Sequence, residues 1–552
     1  GPCAGAARHA AGGGVVRPAL LSEPGLARGP APGLVARTWP DLRAVLLLLA
    51  VALLARGFFF GNPVLESDEQ FYLLVGDRML HGALPYLDIW DRKPVGLFLI
   101  YAAIRALGGE GIVQYQLVAT LFATATAFLV ARLGAELGSR RGGLFAGMAY
   151  LLWLGAFGGE GGQAPVFYNL FVAAAAWTTL RAVAYPVSFA RLFGLGAAAM
   201  LLTGLAMQVK YTAIFEGMFF GCALLWAGWR ARTGPGKLLP VALAWVGCAL
   251  LPTAAALAAY AAMGQAQPFL FANFLSVFER DTAVLGSPLP RLLAMAALLL
   301  PLSLCAVMGL RLSWRHSAGA AELRRAVGFV TGWALVAVAG VLVFGTYYNH
   351  YALPLLLPLS VAAAPLLGRP EARVWKVTAA AALLLSGAVA TAVPGVLHLR
   401  SRGDGSQVRA LAAAMRPGAT LYVFDGEAVL YLLAQSPLST PYAFPTHLSD
   451  LREAGGIGVD QEAELRRVLA SRPDYIVTTD IARGRINPEA QRLLRETLAT
   501  AYRPVRSVRI GKGHRVLYGK LPQAGLSGRR PAGAGATAAG EPPEWDAGAA
   551  RG

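Results

Sequence analysis

From Ala44 to Pro394 the chain consists of long apolar runs separated by short polar breaks, whereas Arg400 to Lys520 mixes apolar and polar residues as a soluble protein does. A spanning helix needs about 20 apolar residues, and at that length the apolar part divides into about eleven candidate spans. The first is Ala44 to Phe60 and the last Val377 to Val393. Pro94 to Gly108 is also apolar but, at about 15 residues, falls short of a crossing. It reads as an interfacial or re-entrant helix. In the polar part, Leu421 to Phe424, Tyr475 to Thr478 and Arg515 to Tyr518 read as strands. Glu427 to Ala434, Glu462 to Leu469 and Glu489 to Leu498 read as helices. The pattern predicts an all-α polytopic membrane part over 43–397 and a small C-terminal α/β soluble domain over 398–520.

Composition agrees with that division. Of 552 residues, 56% are hydrophobic and 14% charged, and the mean hydropathy is +0.51, more apolar surface than one soluble core could bury. Segments 1–42 and 521–552 are rich in Gly, Ala, Pro and Arg and read as a disordered cytoplasmic lead and a disordered tail. Cys3 lies in that lead and Cys222, Cys248 and Cys305 lie in apolar runs, without the spacing of a disulfide framework or a zinc site.

The net charge of +18 does not point to nucleic acid, because the basic residues recur in small clusters between apolar runs. Such clusters mark cytoplasmic loops. With Pro94 to Gly108 kept out of the count, Arg140/Arg141, Arg181/Arg191, Arg230/Arg232/Lys237, Arg311/Arg315/Arg324/Arg325 and Arg369/Arg373/Lys376 all fall on the inner face. The other breaks then lie outside: Gly61 to Lys93, Gly158 to Ala164, Gln208 to Tyr211, Gly264 to Pro290 and Thr346 to Tyr351. The last span exits outward, which places the soluble domain on the same side.

The outer breaks carry the unusual polar residues. Glu66-Ser67-Asp68-Glu69 follows the first membrane exit, where carboxylates are costly to desolvate. The same residues suit the start of an amphipathic helix, with Ser67 as cap and the acids on the helix dipole. Asp88-Ile89-Trp90-Asp91-Arg92-Lys93-Pro94 closes the loop, and Pro94 suits a first helical position. Lys93 there could grip a phosphate, or snorkel to the interface, or pair with Asp88 or Asp91. Lys210 ends a middle span. Glu279-Arg280-Asp281 follows an aromatic stretch and reads equally as surface ion pairing. His350 and Tyr351 open a late span and serve as well for an aromatic belt as for a phosphate contact.

An Asp-Glu pair soon after the first span, an amphipathic helix, a GxxPY stretch over Gly82 to Tyr86 and the KPxGLxxIY segment from Lys93 together resemble the GT-C superfamily of membrane glycosyltransferases. Within it, the likeness is to glycosyltransferase family 39 and RgtA/B/C/D-like proteins, which include protein O-mannosyltransferases and lipid A aminoarabinose transferases. It covers Ala44 to about Leu367 and includes Tyr351-Ala352-Leu353-Pro354, which resembles the family's HYxLPLxP entry. The resemblance implies a GT-C fold with periplasmic interfacial helices in a bacterial inner membrane. It implies inverting transfer of a sugar from a polyprenyl-phosphate donor to an envelope glycan, lipid or protein on the periplasmic face, with membrane lipids as the remaining partners. It makes Asp68 the base, assisted by Glu69, and places a second acidic residue in the next outer break. There the sequence departs from the family pattern, with Ala164 before Pro165: Glu160, several residues upstream, is the candidate second acid, or Gln163 binds sugar hydroxyls instead, and Tyr72 and Trp90 are further substrate-binding candidates. Lys93, Lys210, Arg280, His350 and Tyr351 would hold the donor phosphate. The residues name no certain cofactor and leave metal use open: Asp68, Glu69 and Glu160 could share a divalent ion. A polytopic transporter or lipid flippase is the competing class, but charges here sit at span ends rather than at the midplane.

Overall fold

The computed structural model describes residues 38–280, 288–368, 374–480, 485–511 and 513–522. The tail from 523, Asp281, Arg369 and Arg373 lie outside the described residues, as does the lead as far as residue 37. The chain divides into two compact units, Gly1–Arg43 and Ala44–Gly552. The first is described only from Thr38, where a helix opens; apart from the residues of that helix up to Arg43, everything below concerns the second.

Helix α1 (Thr38–Arg56) is followed by α2 (Ser67–Leu80) and the short α3 (Val95–Arg105). Next come α4 (Ile112–Leu137), α5 (Arg140–Leu154), α6 (Ala164–Ala184), α7 (Phe189–Met207), α8 (Ile214–Arg230) and α9 (Pro235–Ala262). A one-turn α10 (Ala266–Leu270) precedes α11 (Leu289–His316), α12 (Ala321–Phe344), α13 (Leu356–Leu367) and α14 (Val374–Arg402). Among the described residues ten helices, some extended by an adjoining turn, are long and apolar enough to cross a membrane. The protein is a multi-pass membrane protein. α3, with 11 residues, is too short to be one of the ten, in line with the interfacial reading of that segment.

The helix missing from the expected eleven is α5, with 15 residues. Geometry nevertheless makes it a crossing. The end of α1 meets both the start of α4, through the amide of Gly61 on Gln116 at 2.7 Å, and the loop after α5, through Arg56 on Gly161 at 2.6 Å. α4 and α5 therefore run the same depth in opposite directions. They do so with their backbones in contact: a Cβ added at Gly143 of α5 would lie 2.1 Å from the Ala131 carbonyl oxygen of α4. Small residues permit this approach, the usual way helices pack where no hydrophobic drive separates lipid from protein. α13 lies deepest in the bundle and α9 is the most lipid-exposed of the spans.

After α14 the chain forms α15 (Ser406–Ala412), β1 (Leu421–Val423), α16 (Val429–Leu433), α17 (Gln461–Ala470), β2 (Tyr475–Thr479), α18 (Pro488–Ala501), β3 (Tyr502–Ile510) and β4 (Gly513–Lys520). The sheet order is β1-β2-β4-β3, with β1 and β2 parallel and the other pairs antiparallel. β3 has no counterpart in the sequence pattern. It is an edge strand whose middle is exposed, studded with Arg503, Arg506 and Arg509 and shifted in register after Pro504, so it lacks the buried alternation that marks a strand. This α/β layer sits on α2. The amide of Val429 donates to Gln70 at 3.3 Å, Arg78 donates to the Ser436 carbonyl at 2.5 Å, and the Phe71 and Phe444 rings meet edge to face at 5.2 Å.

Candidate active site

α2 begins at Ser67 with Glu66 as its N-cap residue, which makes no side-chain capping bond. Ser67 is thus the first helical residue rather than the cap. Consecutive residues of a helix point about 100° apart, and Asp68 and Glu69 accordingly serve two different groups of partners.

Asp68 accepts a hydrogen bond from the Tyr72 hydroxyl one turn on, at 3.2 Å. Lys93 lies with its ammonium 5.6 Å from the centre of the Tyr72 ring, and Lys210 with its own 4.6 Å from the Tyr351 ring. Two loops deliver the lysines. Pro94 is the N-cap of α3, one position earlier than expected, and the Tyr86 hydroxyl donates to the Lys93 carbonyl at 2.8 Å. The amide of Leu97 then donates to the Gln208 carbonyl at 3.1 Å. A Cβ at Gly96 would stand 2.7 Å from Gln208, so glycine is what allows the turn carrying Lys210 to dock on the start of α3. His350 faces Tyr351 with ring centres 4.8 Å apart.

Asp68, Lys93, Lys210, His350 and Tyr351 are each partly exposed, and Lys210 and Tyr351 line one pocket with Tyr168 and Glu216. Burial raises the Asp68 carboxyl, but Lys93, His350, Lys210 and the Tyr72 hydroxyl outweigh it and hold the group below its ordinary range. Burial lowers the Lys93 ammonium, yet Asp68 and Asp91 prevail and keep it charged. Lys210 is brought down to about 7 by burial and by Lys93, against the pull of Asp68. Neither lysine comes within the 4.0 Å of an ion pair with Asp68. The charges feel one another across a gap.

Glu69 is fully buried on the other side of α2. Burial pushes its carboxyl up to about 8, offset in part by the Gly162 amide and reinforced by Glu66 and Glu160. The glycine loop after α5 wraps around it, and a Cβ at Gly161 would fall 2.0 Å from a carboxylate oxygen of Glu69. Arg56 fixes that loop by donating to the carbonyls of Gly159 and Gly161, and the Tyr101 hydroxyl donates to the Gly162 carbonyl at 2.7 Å. Glu160 turns toward α14: His398 Nδ1 is 3.1 Å from Glu160 and its Nε2 is 3.4 Å from Glu66. Arg402 adds a contact of 3.0 Å to Glu66. Among the described residues the group whose ligand atoms converge closely enough for a metal ion is Glu66, Glu160 and His398, not Asp68, Glu69 and Glu160. One buried Glu160 oxygen lacks a hydrogen-bond partner, so this nitrogen-and-oxygen set fits a divalent cation.

Three other expected residues lie elsewhere. Gln163 is buried at the N-cap of α6. Trp90 is buried against the soluble domain, its amide donating to the Pro441 carbonyl at 2.9 Å and its ring 4.9 Å from that of His447. Arg280 pairs with Glu453 at 2.5 Å, alongside Arg92 at 2.7 Å. Sequence reasoning passed over Arg56, Tyr101, His398 and Arg402. An arginine inside an apolar run is itself a signal of a buried partner, and Arg56 carries it.

No family model and no curated protein matches the chain. Among solved structures, ArnT from Cupriavidus metallidurans in the apo state gives a TM-score of 0.60 at 16% identity, covering 89% of this chain and 100% of that one. ArnT bound to undecaprenyl phosphate gives 0.56 at 15% identity, covering 90% and 100%. The archaeal oligosaccharyltransferase AglB from Archaeoglobus fulgidus, in complex with an inhibitory peptide and a dolichol-phosphate, gives 0.50 at 11% identity, covering 80% and 69%. At these identities the likeness speaks for architecture alone: the chain has the GT-C fold that its loop pattern implied, shared with ArnT and AglB.

Proposed function

We propose that the protein is a glycosyltransferase that moves a sugar from a polyprenyl-phosphate carrier to an envelope acceptor on the non-cytoplasmic face of the membrane. The observation that carries this reading is the unpaired gap between an ionised Asp68 and the ammonium groups of Lys93 and Lys210. A base and a cationic phosphate clamp facing one space are what such a transfer requires. The bound lipids of the similar structures, undecaprenyl phosphate in ArnT and a dolichol-phosphate in AglB, support a lipid-phosphate donor. The placement of basic clusters at the opposite span ends supports the outward orientation.

In the proposed reaction the acceptor hydroxyl oxygen bonds to the anomeric carbon as the bond from that carbon to the phosphate oxygen breaks, with inversion. The hydroxyl proton passes to Asp68, and the electron pair leaves on the phosphate, where Lys93 and Lys210 offset the charge. His350 and Tyr351 line the phosphate side. Glu69, mostly protonated at neutral pH, packs against the glycine loop rather than taking the proton. Glu66, Glu160 and His398 would hold a divalent ion, which would supply positive charge beside the acidic cluster. Mass spectrometry of envelope glycans tests the proposal. A strain lacking the protein should lose one sugar substituent that the wild-type gene restores; an unaltered glycan profile contradicts the reading.

A further inference from the structure

α6 starts beside the glycine loop that encloses Glu69 and, over 21 residues, ends about 30 Å away at 1.5 Å per residue. At that far end lies a cavity of about 660 Å³ between α6, α8, α11 and α12. Its walls are apolar, built from Phe219, Ala223, Gly328 and Phe329, with the two phenyl rings stacked at 5.5 Å. Its rim is cationic and aromatic: Arg230 lies 4.8 Å from the Trp226 ring centre and Arg324 lies 5.3 Å from that of Trp314, with Arg325 beside them.

Capping explains part of this cluster. Arg325 donates to the Ala184 carbonyl at 2.6 and 2.9 Å, and Arg230 donates to the Val183 carbonyl at 2.9 Å, which satisfies the C-terminus of α6. It leaves Arg324 and the second amino group of Arg230 unexplained. The latter is buried without a hydrogen-bond partner. Among the described residues no carboxylate lies within 4.0 Å of these three guanidinium groups. Three like charges gathered without a counter-ion repel one another, and an anion relieves that repulsion. The cavity beneath them is dry-walled and flanked by exposed Cys222, Trp226 and Gly328, so a molecule enters it from the surrounding lipid.

We infer that this cavity is a site for an anionic bilayer phospholipid, whose phosphate sits on Arg230, Arg324 and Arg325 and whose acyl chain lies along the apolar wall formed by Phe219, Ala223, Gly328 and Phe329. The fit is chemical: guanidinium forks match phosphate oxygens, and a single acyl chain matches an apolar slot. The site is separate from the donor pocket and does not depend on the transferase reading. Bound there, a lipid joins the ends of α6, α8, α11 and α12, which the capping arginines already draw together.

Native mass spectrometry of the purified full chain, titrated with phosphatidylglycerol or phosphatidylcholine, tests the inference. The wild-type protein should retain phosphatidylglycerol at least about tenfold better, the difference expected from one or more charge-assisted hydrogen bonds. Arg324→Gln removes an exposed cation that makes no capping bond and should erase most of that preference. Gly328→Leu should reduce retention of phosphatidylglycerol as well, since a Cβ there meets nothing within 4 Å and the side chain would fill the slot. Should Gly328→Leu fail to fold, Arg324→Gln decides alone. Equal retention of the two lipids overturns the inference, as does retention of phosphatidylglycerol that neither variant alters. Complete displacement of phosphatidylglycerol by inorganic phosphate, or by undecaprenyl phosphate acting through Arg324, overturns the assignment to a bilayer phospholipid.

Discussion

Lys210 lies near Lys93, and the cost of holding two ammonium groups close together falls on the one with fewer carboxylates about it: Asp68 and Asp91 keep Lys93 charged, whereas Asp68 alone draws on Lys210. With its ionisation brought down to about 7, Lys210 is charged below neutral pH and loses its proton as pH rises. A phosphodiester donor keeps one negative charge throughout that range, so its affinity should fall, by up to about tenfold, between pH 6 and 9. Lys210→Arg, charged at every such pH, should flatten the profile; fluorescence titration with a polyprenyl phosphodiester reads both. Glu69 behaves in the opposite sense. Its folded ionisation near 8 lies above the ordinary carboxylate value of about 4.3. The fold therefore favours the protonated form, and the stability tied to it is fully present below about 4.3 and is lost as pH rises through 8. Thermal unfolding in detergent should show melting temperature declining over that window in the wild type, and a weaker decline in Glu69→Gln. Asp68 and Lys93 stood out in the sequence as candidates because a carboxylate or ammonium at a membrane exit demands a reason. That neighbouring Glu69 serves a different purpose was not legible, because only the helix turn separates their environments.

The glycine loop after α5 shows how an element can be essential without bearing a reactive group. Arg56 and Tyr101 hold its carbonyls, and Glu69 occupies the space that a side chain at position 161 would need. Gly161→Ala should therefore destabilise the protein by about 1–3 kcal/mol, as overpacking of a filled core does, with a matching drop in melting temperature. Gly82→Ala is the informative control for space, since a Cβ there meets nothing, although its positive backbone angle still carries local strain. The elements themselves followed from apolar length and period, including the short α3. α5, one of the eleven runs counted from the sequence, proves short because its glycines trade hydrophobic length for close packing. β3 escaped because arginine-rich edge strands carry little periodic signal, and α14 outran its apolar stretch to bring His398 and Arg402 to the acidic cluster.

Across the whole molecule, the membrane part and the α/β layer meet along the first loop, where Glu453 joins Arg92 and Arg280. Burial raises the Glu453 carboxyl, but the two guanidinium groups overcome it and keep it ionised. Removing the shared acid leaves both cations uncompensated, so Glu453→Ala should cost about 3–5 kcal/mol, as breaking a desolvated pair does. Limited proteolysis should then release the α/β layer sooner. The change from apolar to polar composition after Pro394 was plain in the sequence from hydropathy alone. The seam was not, since Trp90, Arg92 and Arg280 find their partners more than 150 residues away, a pairing that periodicity does not encode. The account as a whole rests on Asp68 acting on a donor held by Lys93 and Lys210. Its most direct test is Asp68→Asn, with transfer and donor binding measured on the same purified protein. Transfer should fall by at least about 10²-fold, the usual contribution of a general base, while donor affinity stays within a few-fold of wild type. Transfer that persists at the wild-type rate in Asp68→Asn would contradict the account.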